Sequence, residues 1–410
     1  LTTKEVPASL DRISIPPSAF DWLFEHGRGD DDTLPLVQIE SPDTISVQNY
    51  VGVIETPCGT QIEILPKHTS DENDAGVARR LLITMITESM KITPRRAPNA
   101  EIAAFNLPMT EWLASAFLDE ASELVRRGLR SGYTTFETRE PFLRGKLDVA
   151  RQISATGGLH RFSIRFNEFS LNRPENRILR SAVEHVARRT KSDQNWRRAR
   201  ELSILLGDVP VSNDIPSDLG SWEQSRQLAD YIQIRPLCDL LLSNRLPFAV
   251  AGNHRGASML FPMERLFERY VFSSLKSQVP AGVQVLWQSH DKYLCALDAE
   301  GWFRMKPDIV VIDGTRTWVF DAKWKRLTSS RKGYFGLDQS DFYQLFAYGQ
   351  KYMAGAGDMF LIYPAVPNFP VFAEPFELTK DLRLHVLPFD LYTRDAPMWH
   401  SVICQPHCNE

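Results

Sequence analysis

The sequence predicts a mixed α/β (α+β) protein of several domains, with an N-terminal α+β region, a helical middle and a C-terminal mixed sheet flanked by helices. Two kinds of segment carry that prediction. Short β-rich runs separated by turn residues occur toward both ends, in "YVGVIETPCGTQIEILPK" (50–67) and "DIVVIDGTRTWVFDAK" (308–323), as hairpins require. Between and after them lie stretches whose apolar residues recur at helical spacing. A third observation is the balance of 43% hydrophobic and 24% charged residues in a chain of 410, long enough for two or three domains.

Taken in order, the first hairpin turns at Pro57-Cys58-Gly59. Residues 75–91 follow as a helix, with Val77, Leu81, Leu82, Met85 and Ile86 on one side. A second helix, "MTEWLASAFLDEASELVRRGL", has Thr110 as a capping candidate and Gly128 near its end. "LRGKLDVARQI" and "RFSIRFNEFS" read as strands, and "PENRILRSAVEHVARRT" as a helix opening with Pro174. Residues 191–250 read as mostly helical around the loop "GDVPVSNDIPSDLG". A soft boundary falls near 245–255, where Pro, Gly and Asn gather. The expected division is 1–150 as the α+β region, 151–250 as a basic helical middle, 251–395 as the last domain and 396–410 as a tail.

Residues 121–210 hold 18 Lys and Arg against 10 Asp and Glu, although the whole chain is at −4. That surplus marks a phosphate-binding surface or a solvated helix face, with Arg197, Arg198 and Arg200 in helical sequence. No run approaches the roughly 18 apolar residues of a membrane span. Five cysteines form no disulfide framework, so a cytoplasmic setting is expected.

The chemistry concentrates in "FRMKPDIVVIDGTRTWVFDAKWKRL" (303–327). Alternation puts Trp318, Phe320, Ala322 and Trp324 on one face, and Thr317, Val319, Asp321, Lys323 and Lys325 on the other. A four-residue loop from Asp313 to Arg316 pairs Ile312 with Thr317, and so does a two-residue turn at Gly314-Thr315. Either way Asp308 faces Asp321, with Cβ atoms roughly 4.5–5.5 Å apart. Two carboxylates so close repel unless a cation lies between them or one keeps a proton. Lys323 adds a positive head on the same face. Asp-x-Lys alone is common on wet strands. The facing Asp308 makes it the set that phosphodiester cleavage needs: oxygens for Mg²⁺ (or Mn²⁺), and an ammonium to orient or deprotonate water and offset charge.

Two helices flank this hairpin in sequence. "FPMERLFERYVFSSL" has its apolar stripe at Met263, Leu266, Phe267, Tyr270 and Val271, with Glu264 and Glu268 at the edge. Helical geometry favours Glu264 slightly as the one to reach a metal. "SDFYQLFAYGQKY" places Gln344 and Tyr348 one turn apart on one side. The tail carries His400, Cys404, His407 and Cys408 in no standard zinc spacing, and His290 stands alone. Lys325, Arg326, Arg331 and Lys332 are candidates for holding DNA phosphates.

"MERLFERYV", "KPDIVV", "FDAKWK" and "DFYQLFAYGQKY", in this order, resemble the McrC family, the nuclease subunits of McrBC modification-dependent (type IV) restriction systems. "YVGVIETPCGTQIEILPK", "LRGKLD" and "FNEFSLNRPENRILRSAV" extend the likeness over about 50–364. The resemblance implies a PD-(D/E)xK restriction-endonuclease-like domain. It places the metal-binding glutamate at Glu268, against the helical preference for Glu264, and gives Gln344 and Tyr348 a positioning role. Further implications are DNA as substrate and an McrB-like AAA+ GTPase hexamer as partner, docked by the N-terminal region. The chain itself has no Walker A loop followed by Lys-Ser/Thr. A repair or recombination nuclease, or a non-catalytic scaffold stimulating a partner NTPase, are the alternatives. The intact Asp308, Asp321 and Lys323 set argues against the scaffold.

Overall fold

The computed structural model describes residues 1–7, 9, 12–27, 35–67, 75–92, 107–154, 160–223, 225–242, 259–314 and 316–396. The Cys/His tail and the soft boundary near 245–255 lie outside them. The chain packs as two compact units, Leu1–Ile92 with Pro247–Glu410, and Thr93–Leu246. These bounds do not follow the linear division expected from sequence: the N-terminal hairpin shares a unit with the C-terminal sheet.

The cause is strand pairing. Tyr50–Glu55 and Gln61–Ile64 form the expected hairpin, with Glu55 opposite Gln61. The other edge of Tyr50–Glu55 is taken by Met259–Pro262, Val53 facing Met259. The approach is close at Gly52, whose φ is +130° and where a Cβ would lie 2.0 Å from the Met259 carbonyl oxygen. Only glycine fits there. Pro262 then stands at the N-cap of the helix Met263–Gln278, and Met263 N–H donates to the Asn49 carbonyl at 2.8 Å. The helix Ala75–Met90 buries Leu81, Leu82, Met85 and Ile86 as expected, and packs along Met263–Gln278.

The large sheet of this unit has six strands in the order Phe376–Glu377, Leu382–Phe389, Gly357–Pro364, Arg316–Ala322, Ile309–Asp313 and Gln284–Trp287. The pairs among the second, third and fourth are parallel and the rest antiparallel, so the sheet is mixed. Alternation assigns its faces as the sequence requires. Val310, Val319, Leu361 and Tyr363 pack with Leu345 and Tyr348 of the helix Gln339–Tyr352. On the other face Phe320 stacks on Phe360, while Phe267 of Met263–Gln278 sits edge-on to Trp324 and Phe389. Phe267 and Phe320 are fully buried, each stabilising the fold by about 1.5–3 kcal/mol.

The other unit is helical around a small sheet. Its helices include Met109–Arg127, Pro174–Arg189 and Asp193–Leu205, and Gly128, at φ +91°, ends the first of them. Thr110 is not the cap; Pro108 holds that position and Thr110 lies inside the helix. "RFSIRFNEFS" is a strand, Phe162–Ser170, paired with Gly132–Glu140. "LRGKLDVARQI" departs from expectation. Lys146–Leu147 make only a short strand, because Asp148 accepts the Arg151 N–H at 3.1 Å and caps a helical turn, Val149–Ile153. The basic surplus is largely tied up locally. Arg198 is held by Asp119 at 2.6 Å, and Arg151 and Arg165 share Glu137.

Candidate active site

Ile312 pairs with Thr317 in the hairpin, and the ladder runs back to Ile309 opposite Phe320. One residue further, Asp308 and Asp321 meet at its end, as the sequence register requires. Both are buried, Asp308 at 9% and Asp321 at 1% exposure. Asp308 accepts the Ala322 N–H at 2.9 Å through Oδ2, while its carbonyl accepts Gln288 N–H at 2.9 Å. Asp321 lies 2.8 Å from Lys323 Nζ, yet neither of its oxygens accepts a hydrogen bond of good geometry. A buried carboxylate is costly unless paired or coordinated to a metal, and the Lys323 ammonium is the charge that pairs it here.

The electrostatics follow from burial and crowding. Burial, then the charges of Asp321 and Glu268, push the Asp308 carboxyl well above the usual range. Glu268 is half-buried on its helix and pushed up to about 7, by burial first and Asp321 second. Its carboxylate reaches Gln288 Nε2 at 3.5 Å, on the segment that also bonds Asp308. Glu264 is exposed. Of the two glutamates, Glu268 is therefore the one drawn to the aspartate pair. For Lys323, burial works to lower the ammonium, but Asp321 and Asp308 outweigh it and hold it above the ordinary lysine value.

Gln344 and Tyr348 meet each other: Gln344 Nε2 donates to the Tyr348 hydroxyl at 2.7 Å, which donates to the Lys306 carbonyl at 3.0 Å. They brace the Lys306–Pro307–Asp308 segment from the helix. Sequence reasoning missed Asp341 and Tyr363. Asp341 lies 3.9 Å from Lys323 Nζ, and the wholly buried Tyr363 hydroxyl faces it without a well-formed hydrogen bond. Asp341 is one turn before Leu345 and three residues before Gln344, so helical spacing was a usable signal. A first-turn aspartate reads more simply as complementing the helix dipole, and Tyr363 as core.

The remaining candidates are not gathered here. His290 is exposed, with its carbonyl accepting Arg304 Nε at 2.7 Å. Lys325 is paired with Asp338 at 2.8 Å, and Arg326 donates to the Lys67 carbonyl at 3.2 Å. Arg331 and Lys332 stand exposed on the turn Arg331–Gly336, where Tyr334 and Phe335 hold φ of 50° and 60°. Tyr334 is 79% exposed on this strained backbone.

Among the described residues no three Asp, Glu, His or Cys side chains are gathered tightly enough to hold a metal ion unaided. The donor chemistry nevertheless suits Mg²⁺, which takes one or two carboxylates and completes its shell with water and phosphate. Asp308 and Asp321 supply hard oxygens in a buried setting, with Lys323 the cation now against Asp321.

The fold and site thus define a mixed-sheet protein with a buried aspartate pair and a lysine at the end of a central hairpin. The chain belongs to the family described as McrBC 5-methylcytosine restriction system component, which matches residues 45–364. Among solved structures, it is similar to a half-complex from a tetradecameric assembly of Thermococcus gammatolerans McrB AAA+ hexamers with bound McrC. The TM-score is 0.60 at 20% identity, over 87% of this chain and 81% of that one. A cryo-EM structure of the Thermococcus gammatolerans McrBC complex gives 0.46 at 21% identity, over 63% and 81%. No curated protein matches. Among the described residues no helix is long and apolar enough to cross a membrane.

Proposed function

We propose that this restriction-system component is its endonuclease subunit, hydrolysing DNA phosphodiester bonds with Mg²⁺ or Mn²⁺ and working with an McrB-like AAA+ GTPase hexamer. The observation that carries the reading is the buried, facing pair Asp308 and Asp321, with Lys323 on the same face. Asp308 and Asp321 would hold the ion, with Glu268 beside them; a bound ion would supply Lewis acidity and a lowered water pKa. Lys323, kept charged by its neighbours, offsets the negative charge that builds on the phosphate. Gln344 and Tyr348 fix the height of Asp308 through Lys306. Family membership supports the restriction context and the motor partner. The solved half-complex, in which a chain of similar fold is bound to McrB AAA+ hexamers, supports the partner as well.

The test is co-expression with the AAA+ GTPase encoded beside it, followed by cleavage assays on methylated and plain DNA with Mg²⁺ or EDTA. Metal-dependent cutting that Asp321→Asn abolishes is expected. A complex that stimulates GTP hydrolysis but never cuts DNA would leave the scaffold reading standing instead.

A further inference from the structure

Lys323 and a divalent cation want the same atoms. The ammonium sits 2.8 Å from Asp321 Oδ2, on the buried carboxylate that a cation would use. Once that carboxylate holds a cation, the ammonium is repelled from its nearest partner and needs another carboxylate to stay on this face. One is at hand. Asp341 Oδ1 is 3.9 Å from Lys323 Nζ, with a side chain only 15% exposed. It projects from the first turn of Gln339–Tyr352, a helix fixed to the sheet by buried Leu345 and Tyr348. Tyr363 supplies a second observation: its hydroxyl is wholly buried, faces Asp341 and forms no good hydrogen bond. It stands ready to donate to that carboxylate.

Resting on the nuclease reading above, the geometry points to Asp341 as the positioning residue for Lys323. It draws the ammonium off Asp321 when Asp321 gives its oxygens to a divalent cation, and keeps it on the reacting face. Asp341 acts through the lysine and does not itself hold the ion.

A double-mutant cycle in the full chain separates these roles. Mn²⁺ binding is titrated calorimetrically for wild type, Asp341→Asn, Lys323→Ala and the double variant, with thermal melting as the fold control. With Lys323 present, Asp341→Asn leaves the ammonium on Asp321 and weakens Mn²⁺ binding about three- to tenfold; with Lys323→Ala it changes nothing. In the complex with its motor, Asp341→Asn lowers kcat for cleavage with KM for DNA unchanged, and Asp341→Glu restores part of the loss. An equal loss of Mn²⁺ affinity in both backgrounds shows that Asp341 acts on the ion independently of Lys323, by its field or as a ligand, and overturns the inference. So does no loss in either. Wild-type protein that neither binds Mn²⁺ nor cuts DNA removes the nuclease reading itself, an outcome distinct from both.

Discussion

Asp308→Asn should make the metal-free protein more stable, and the gain should grow with pH. Two unit charges about 5 Å apart repel by about 3 kcal/mol at an effective dielectric near 20. The hairpin register sets Asp308 opposite Asp321, where facing side chains lie roughly 5 Å apart, and the Asp308 hydrogen bond from Ala322 N–H is one that an asparagine oxygen can keep. Lys323 retains Asp321 in the variant. Proton uptake by Asp308 caps the penalty, so the net gain at pH 8 is about 1–3 kcal/mol. The sign with pH follows from linkage. The folded Asp308 carboxyl is held well above its ordinary value, and the unfolded one titrates near about 3.9. The folded state binds the extra proton, so wild-type stability is full below about pH 4 and declines as pH rises through the folded value. The variant lacks that decline. In EDTA at pH 8, a gain near 2 kcal/mol reads as about 4–8 °C in Tm, shrinking toward zero at pH 4. Saturating Mg²⁺ should narrow the gap, since an ion at about 100 times Kd stabilises wild type by about 2.7 kcal/mol and the variant by less. Equal melting at pH 8 in EDTA, or a gain of the same size at pH 4, would refute the reasoning.

Lys323→Ala leaves both aspartates in place, so divalent-ion binding should persist while cleavage falls about 10²–10³-fold, read by parallel titration and turnover assays. In the Arg331–Gly336 turn, Tyr334→Ala should weaken single-strand DNA binding by about 1–3 kcal/mol. Removing Arg331 and Lys332 together should reduce the salt slope of log K by about 2, measured by fluorescence anisotropy across salt; an unchanged slope returns the turn to an ordinary solvated loop. Gly52→Ala drives a Cβ into the Met259 carbonyl at positive φ, and should cost about 3 kcal/mol or more in urea unfolding.

The hairpin was legible because its information is local. Alternation and turn length are enough to fix which residue faces which, so the Ile312–Thr317 pairing and the meeting of Asp308 with Asp321 follow from a few residues. The choice between Glu264 and Glu268 was not local. A helical wheel ranks them by distance from the apolar stripe, whereas reach toward Asp321 depends on where the helix crosses the sheet. Phe267 between Trp324 and Phe389 sets that crossing. Asp341 was hidden for a similar reason: its partner is a lysine on another element, and nothing in its own neighbourhood requires one. "LRGKLDVARQI" misled because Asp148 can cap a helical turn as readily as it can end a strand.

Strand pairing also decides how the N-terminal region can be studied. A fragment beginning near residue 250 looks natural in sequence, since it keeps Glu268, Asp308, Asp321 and Lys323. In the fold it strips Tyr50–Glu55 from Met259–Pro262, the strand that leads directly into the Glu268 helix. It also removes Ala75–Met90, whose Glu88 carbonyl accepts Ser273 Oγ at 3.1 Å and whose Glu88 carboxylate pairs with Arg394 at 2.6 Å. Such a fragment would expose Leu260, which the whole chain buries among Ile15, Tyr50 and Ile54, and the strand edge at Phe261 that pairs with Val51. Its failure to stimulate a motor, or to cut, would report lost folding and not lost docking. Docking is better probed in the full chain by exposed substitutions that leave this pairing intact, with GTP hydrolysis and DNA cleavage read on the same proteins. A variant that loses motor stimulation while its melting temperature stays at wild type assigns a docking residue; one that loses both has only been unfolded.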